Sequence, residues 1–405
     1  MRNADGTARP KVYSVRGVRR KPSSRRNASR RLSGRAEPRR LRPVSRFRPE
    51  GSFAAAAAAL PVTYGYLALC VLAYVGTLLL DGVSSRGGFA ALGPTHVALD
   101  AAGALDTDLV FGAGQWERCA AAGVLHLGLL HLLFNCGAIR QMGSLLEAVV
   151  GARGALFAYG CAQLGTAAAP LVFAAATGET NSSAGASGVA CGLGATLWAL
   201  WRGAPAGPLA HYRREIGAWL VVGLLMGLIP GISFLGHLGG TLGGAAAGTL
   251  FRVAAGASPA ARRTARAVSR AAVLLSALFL TGIGVAAAKA PGRIAFDRAF
   301  PQLREAALTL GGWIFDEDVG GRAREPLDAE TAAAFQRALG GVDAPAALRP
   351  AEERLRAAFG RLGPPYGAVP QDDREAAAAD YAAAVAALND AARARHGARI
   401  AGGRR

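Results

Sequence analysis

Through the middle of the chain, long intervals without a single Asp, Glu, Lys or Arg alternate with short stretches that carry arginines. Residues 51–80, 119–139, 154–178 and 180–201 are such intervals, and each can supply one helix across a hydrocarbon core, which takes about 20 residues. Residues 216–251 are too long for one crossing and carry Pro230-Gly231 near their middle, which predicts a tight turn between two helices. Residues 271–288 add one more. The pattern predicts seven helices in all. No period-two alternation competes with it, and only helices and closed barrels satisfy backbone polar groups in lipid. The expected fold class is therefore an all-α polytopic membrane protein.

Arginine placement orients these helices, because short basic loops stay on the cytoplasmic side. With the amino terminus inside, the inner loops hold Arg153, Arg202, Arg213 and Arg214, and then Arg252, Arg262, Arg263, Arg266 and Arg270. The outer loops are richer in acids, among them Asp81, Asp100, Asp106, Asp108, Glu117 and Glu179. Ser187 then starts its helix on the outer side.

The formal net charge of +19 sits mostly outside the spans. Residues 1–50 hold seventeen Arg and Lys against Asp5, Glu37 and Glu50, with too few apolar side chains to build a core. The segment reads as a disordered arm that enforces topology and touches anionic headgroups, or as an organellar transit peptide. Nucleic acid is not an expected partner, since no aromatic residues interleave with the bases at a reading spacing. Residues 51–255 form the core helical domain, and 256–290 a basic loop with the last span. Residues 291–405 are an Ala-rich, partly helical soluble tail, with helices predicted over 332–339, 352–359 and 373–396 and a thin core. Asp316-Glu317-Asp318 lacks calcium-loop spacing and reads as a solvated turn. Cys70, Cys119, Cys136, Cys161 and Cys191 form no C-x-x-C pair and read as small packing residues, so no metal site is expected.

Polar side chains at membrane depth are costly and mark function. Here they are His126, His131 and Asn135 on one predicted helix, Ser187 within Gly185-Ala186-Ser187-Gly188, and His237. Four helical residues turn through about 400°, so His131 and Asn135 share a face while His126 points elsewhere. Two donors aimed at one point suit an oxyanion hole. Ser187 needs a neighbouring base to act as a nucleophile, and His237 is the candidate. Glycines every fourth residue, at Gly236, Gly240, Gly244 and Gly248 and at Gly188 and Gly192, predict close approach of the two helices that carry the pair. Val189 stands where the nucleophile elbow of soluble hydrolases needs a glycine. Glu147 reads as a satisfied pair or cap, with Arg140 on a similar face, and Arg118 as structural.

These motifs resemble those of the rhomboid family of intramembrane serine proteases over roughly residues 60–251. H-x-x-x-x-H-x-x-x-N is present as His126 to Asn135, followed by Gly143 and Glu147; G-x-S-G is met by Gly185 to Gly188, and H-x-x-G-x-x-x-G by His237, Gly240 and Gly244. Gln115-Trp116-Glu117-Arg118 is similar to the family's Trp-Arg motif, with Glu117 inserted. The resemblance implies a six-helix core, here with a seventh C-terminal transmembrane helix, and a Ser187–His237 dyad that needs no cofactor. It also implies an oxyanion site of His131, Asn135 and the Ser187 N–H, with His126, Gly185, Gly188, Gly240 and Gly244 structural near the site. Cys191 stands where many relatives carry an aromatic residue packed on the catalytic histidine.

The implied partners are transmembrane protein substrates and the bilayer itself. The implied location is a multi-pass protein of the secretory pathway or plasma membrane, or of a mitochondrial or plastid membrane. A catalytically silent binder of transmembrane clients is the alternative, and the intact Ser187 and His237 argue against it. A transporter should show repeated halves around a midplane site, and no such repeat is visible.

Overall fold

The computed structural model describes residues 53–84, 92–229, 231–315, 329–340, 342–362 and 371–396. The basic arm at 1–50, Pro230 and the Asp316-Glu317-Asp318 run lie outside the described residues. In chain order the elements are α1 (Phe53–Ala59), α2 (Pro61–Asp81), β1 (Val83–Ser84), β2 (Gly93–Pro94), α3 (His96–Ala102), β3 (Leu105–Asp106), α4 (Thr107–Ala113) and α5 (Arg118–Ala121). A 3₁₀ turn at Ala122–Val124 precedes α6 (Leu129–Thr177), β4 (Ser182–Ser183), α7 (Ser187–Leu200), α8 (Pro208–Met226), α9 (Phe234–Ala254) and α10 (Pro259–Phe315). The chain continues through α11 (Ala329–Leu339), α12 (Arg349–Leu362) and α13 (Gln371–His396). The two-residue strands pair antiparallel, β1 with β2 and β3 with β4.

Among the described residues, α2, α6 and α10 are long and apolar enough to cross a membrane, and α7 is a shorter apolar helix. Large apolar side chains such as Leu72, Leu79, Phe134, Val172, Leu274 and Leu278 are exposed on them, a belt that a water-soluble surface does not tolerate. The 49 residues of α6 are two helical arms joined at Gly151, whose φ of 75° and ψ of 170° suit only glycine. The sequence reading of separate helices over 119–139 and 154–178 needs one correction. The helix that carries His131 begins only at Leu129, after α5 and the 3₁₀ turn, because Leu125 and Gly128 are extended. His126 is therefore not on the helix that carries His131. The helix expected from residue 180 likewise begins only at Ser187, since β4 is held by pairing to β3.

Pro61 opens α2, where the missing N–H costs nothing. The next donors are satisfied from another helix: Val62 N–H and Thr63 N–H donate to Glu147 at 3.0 and 2.8 Å, and Thr63 Oγ1 at 2.8 Å. A buried carboxylate at this end also meets the positive pole of the helix. Glu147 is thus the cap of α2, and Arg140 takes no part in that set of bonds.

The centre of the bundle is α9, wedged between α6 and α7 by bare backbone. A Cβ on Gly240 would fall 2.0 Å from the Gly188 carbonyl oxygen, and one on Gly244 1.9 Å from that of Gly192. A second glycine face meets α6, where a Cβ on Gly239 would lie 2.0 Å from the Gly165 oxygen and one on Gly243 2.2 Å from that of Cys161. Thr196 Oγ1 donates to the Gly192 and Gly244 carbonyl oxygens at 2.8 and 3.0 Å, stitching α7 to α9.

Composition placed the start of the soluble tail at residue 291. The helix instead runs unbroken from Pro259 through Pro291 and Pro301 to Phe315. Its far half carries Phe296, Leu303 and Leu310 into a second core with Phe335, Leu348 and Leu355, packed further by Ala358, Ala377 and Ala384. The tail core is thus thicker than its composition suggests, because α10 lends it a face and its alanines let helices approach closely. Arg354 and Arg361 donate to Asp380 at 2.7 and 3.1 Å and hold its carboxyl below the ordinary carboxylate range.

Candidate active site

Ser187 is the first residue of α7, so its own N–H lies in the turn that has no intrahelical acceptor. The turn before it depends on Gly185, whose φ of +145° is unfavourable for any residue with a side chain. That turn is anchored by Gly185 N–H donating to the Ala122 carbonyl at 2.9 Å, and by the β3–β4 pairing just upstream. His237 sits in the first turn of α9, capped by the Ser233 side chain, which accepts from Gly236 N–H at 3.1 Å.

The close α7–α9 packing brings Ser187 Oγ to 2.7 Å from His237 Nε2. The other ring nitrogen, Nδ1, lies 2.7 Å from the Gly223 carbonyl oxygen of α8. A carbonyl can only accept, so Nδ1 carries the proton and Nε2 presents its lone pair to the serine hydroxyl. Gly223 escapes a sequence reading because its contribution is a backbone atom. Its glycine identity gives a spatial hint, since a Cβ there would sit 3.2 Å from Cys191 Sγ. Cys191 is thus packed toward the backbone that orients the histidine. All five cysteines are free thiols.

His131 and Asn135 gather on the other side of the Ser187 turn. A Cβ on Gly185 would lie 2.7 Å from His131 Cε1, 2.9 Å from its Nε2 and 3.8 Å from Asn135 Nδ2. Gly185 thus lets the chain pass close to both donors. His131 Nδ1 accepts from Leu127 N–H at 3.4 Å, which leaves the proton on Nε2, the nitrogen facing the Gly185 turn. Asn135 is buried, and its Nδ2 finds no hydrogen-bond partner among the described residues. An unsatisfied buried donor costs about 1–3 kcal/mol and is retained where an acceptor is needed. His126 is fully buried, with Nδ1 3.1 Å from the Val124 carbonyl and its ring edge-on to His131 at 5.3 Å. It wedges His131 from behind.

Gly188, Gly240 and Gly244 lie in the α7–α9 contact and bring Ser187 and His237 together without touching them through side chains. Arg118 is fully buried, donating through Nη1 to the Ala104 carbonyl at 2.7 Å and through Nε to Gln115 Oε1 at 2.8 Å. It also pairs with Asp100 at 3.1 Å. Burial pushes the Asp100 carboxyl up, but Arg118 and Arg395 outweigh it and hold the group below the ordinary range. Among the described residues, no group of three or more His, Cys, Asp or Glu is placed to hold a metal ion.

Comparison with known proteins adds to this geometry. Residues 113–254 match the family model of the Rhomboid domain. The chain is similar to Rhomboid protease GluP of Bacillus subtilis (strain 168), at 30% identity over 187 residues that cover 45% of this chain and 33% of that protein. The match thus spans about a third of that relative's length. No solved structure matches.

Proposed function

We propose, from the premise that this chain is a rhomboid family protein, that it is an intramembrane serine endopeptidase cutting transmembrane proteins in or near their membrane segments. The observation that carries the reading is the 2.7 Å contact of Ser187 Oγ with His237 Nε2, with Nδ1 tied to the Gly223 carbonyl. Six helical segments, from α2 through the two arms of α6, α7 and α8 to α9, make the catalytic core in this reading, with α10 as the seventh crossing.

In the first step Ser187 Oγ attacks the scissile carbonyl carbon as its proton moves to His237 Nε2. The imidazolium keeps its Nδ1–H on the Gly223 oxygen, a neutral acceptor that orients the ring and takes up part of its charge. Negative charge on the former carbonyl oxygen meets the Ser187 N–H, His131 Nε2–H and Asn135 Nδ2–H, donors already fixed before the reaction. Collapse breaks the C–N bond, and the leaving amine takes the proton from His237. Water then attacks the acyl-serine with His237 as base, and the released serine recovers its proton. No step requires a third acidic residue.

In proteoliposomes with a reporter transmembrane substrate, Ser187→Ala and His237→Ala should each abolish cleavage while leaving melting temperature and membrane insertion unchanged. Wild-type cleavage in either variant would exclude the dyad, and an intact, inserted wild-type chain that binds substrate without cutting would favour the silent binder.

A further inference from the structure

The last described helix, α13, reaches the 96–121 segment, on which the Ser187 turn hangs. Arg395, on the last turn of α13, is buried and pairs through Nη2 with Asp100 and Asp297, each at 2.6 Å. Its backbone carbonyl accepts from Gln115 Nε2 at 2.9 Å. Gln115 Oε1 in turn accepts from Arg118 at 2.8 Å and from Arg293 of α10 at 2.8 Å. Arg395 is thus the meeting point of the 96–121 segment, α10 and the tail.

Two short connections run from there to Ser187. Arg118 holds the Ala104 carbonyl, next to β3, and β3 pairs with β4 while Thr107 N–H donates to the Asn181 carbonyl at 3.0 Å. Arg118 also belongs to α5, which runs directly into Ala122, the residue whose carbonyl anchors Gly185 N–H at 2.9 Å. Both ends of the 182–186 stretch therefore hang on elements that the Arg395 cluster fixes.

We infer that Arg395 is a positioning residue for the Ser187 turn, so that the docked C-terminal helical tail sets the geometry of the nucleophile it never touches. A buried guanidinium is always charged, and here one nitrogen, Nη2, bonds both carboxylates and holds them in fixed register. Removing it leaves the partly buried Asp297 without its arginine and Asp100 with Arg118 alone, and the least costly response is for the 96–121 segment to shift toward water. A displacement of about 1 Å at a reacting group costs up to roughly a hundredfold in rate. The inference rests on the dyad reading for its kinetic consequence, although the backbone coupling stands apart from it.

The test uses the full chain, comparing Arg395→Ala and Arg395→Lys with Arg393→Ala, whose exposed side chain pairs with Asp390 among the described residues. Two quantities are read: the rate at which a fluorophosphonate labels Ser187, and hydrogen exchange at the Thr107 and Gly185 amides. Arg395→Ala should slow labelling by about tenfold, within the range a sub-ångström to ångström misplacement produces, and should speed exchange at both amides while α7 and α9 stay protected. Arg395→Lys should recover part of each, and Arg393→Ala should match the wild type. If Arg395→Ala loosens only α11–α13 and leaves labelling per folded molecule and Gly185 exchange unchanged, the positioning role is overturned. Should that variant not fold, Gln115→Ala combined with Asp100→Asn weakens both connections between Arg395 and Arg118, and wild-type labelling and Gly185 exchange there overturn the role equally. A wild-type chain that never reacts with the probe would sink the dyad reading, while exchange at Gly185 would still decide the coupling.

Discussion

At the scale of single residues, the arrangement around His237 replaces the charge of a carboxylate with the dipole of the Gly223 carbonyl. A neutral acceptor fixes the tautomer and ring plane without placing an anion in an apolar interior, where an ion costs several kcal/mol. Division of labour among the other polar groups follows from their partners. His131 and Asn135 each keep a donor near the Gly185 turn, whereas His126 holds the Val124 carbonyl and packs edge-on against the His131 ring. Asn135→Ala and His131→Ala should therefore lower turnover by about a hundred- to a thousandfold, the usual cost of one oxyanion donor, with little change in melting temperature. His126→Ala should act through stability, its activity falling in step with the folded fraction. Measuring turnover and thermal melting together in detergent separates the roles, and unchanged turnover per folded molecule in the Asn135 and His131 variants would remove both from the oxyanion site.

At the scale of elements, the site exists because α9 is stripped of side chains on two faces. Bilayer helices gain nothing from expelling water against one another, so their association depends on close packing, and glycine allows the closest approach. Gly244→Ala would set a methyl group 1.9 Å from the Gly192 oxygen, forcing α7 and α9 apart. Overpacking of this kind costs about 1–3 kcal/mol, and the separation should also lengthen the Ser187–His237 contact. Gly284→Ala on α10 meets nothing within 4 Å and should be neutral or stabilising by up to about 1 kcal/mol, the helix preference for alanine. Melting temperatures of the pair, measured in one detergent, check the contrast. Equal shifts would mean that the α7–α9 contact tolerates a wider spacing than the glycines imply.

For the whole molecule, the tail packs by α13 and the far half of α10 on the 96–121 segment, at the end of the bundle where α7 begins with Ser187, while the loops expected inside carry the arginines. If the chain crosses seven times, as proposed, the tail and the start of α7 face the side opposite the Arg213 loop. A cysteine placed at Asp343, in a background without native cysteines, should react with a membrane-impermeant maleimide on intact cells, and one at Arg214 should react only after permeabilisation. Labelling of both from the same side would contradict the seven-crossing arrangement.

What the sequence by itself determined was what depends on local composition and spacing. Uncharged intervals mark helices whatever their neighbours, and His131 with Asn135, Gly185 to Gly188 and His237 could be singled out because polar groups at membrane depth are costly and few. Tertiary structure decided everything carried by backbone atoms or by distance along the chain. The Gly223 carbonyl has no side chain to announce it, and His126 left the helix because a non-helical stretch at 125–128, not a change in hydropathy, delays the start of α6. Glu147 caps a helix 84 residues away, and Arg395 meets Asp100 across 295. Periodicity extends only a few turns, whereas such pairings are fixed by how the helices pack.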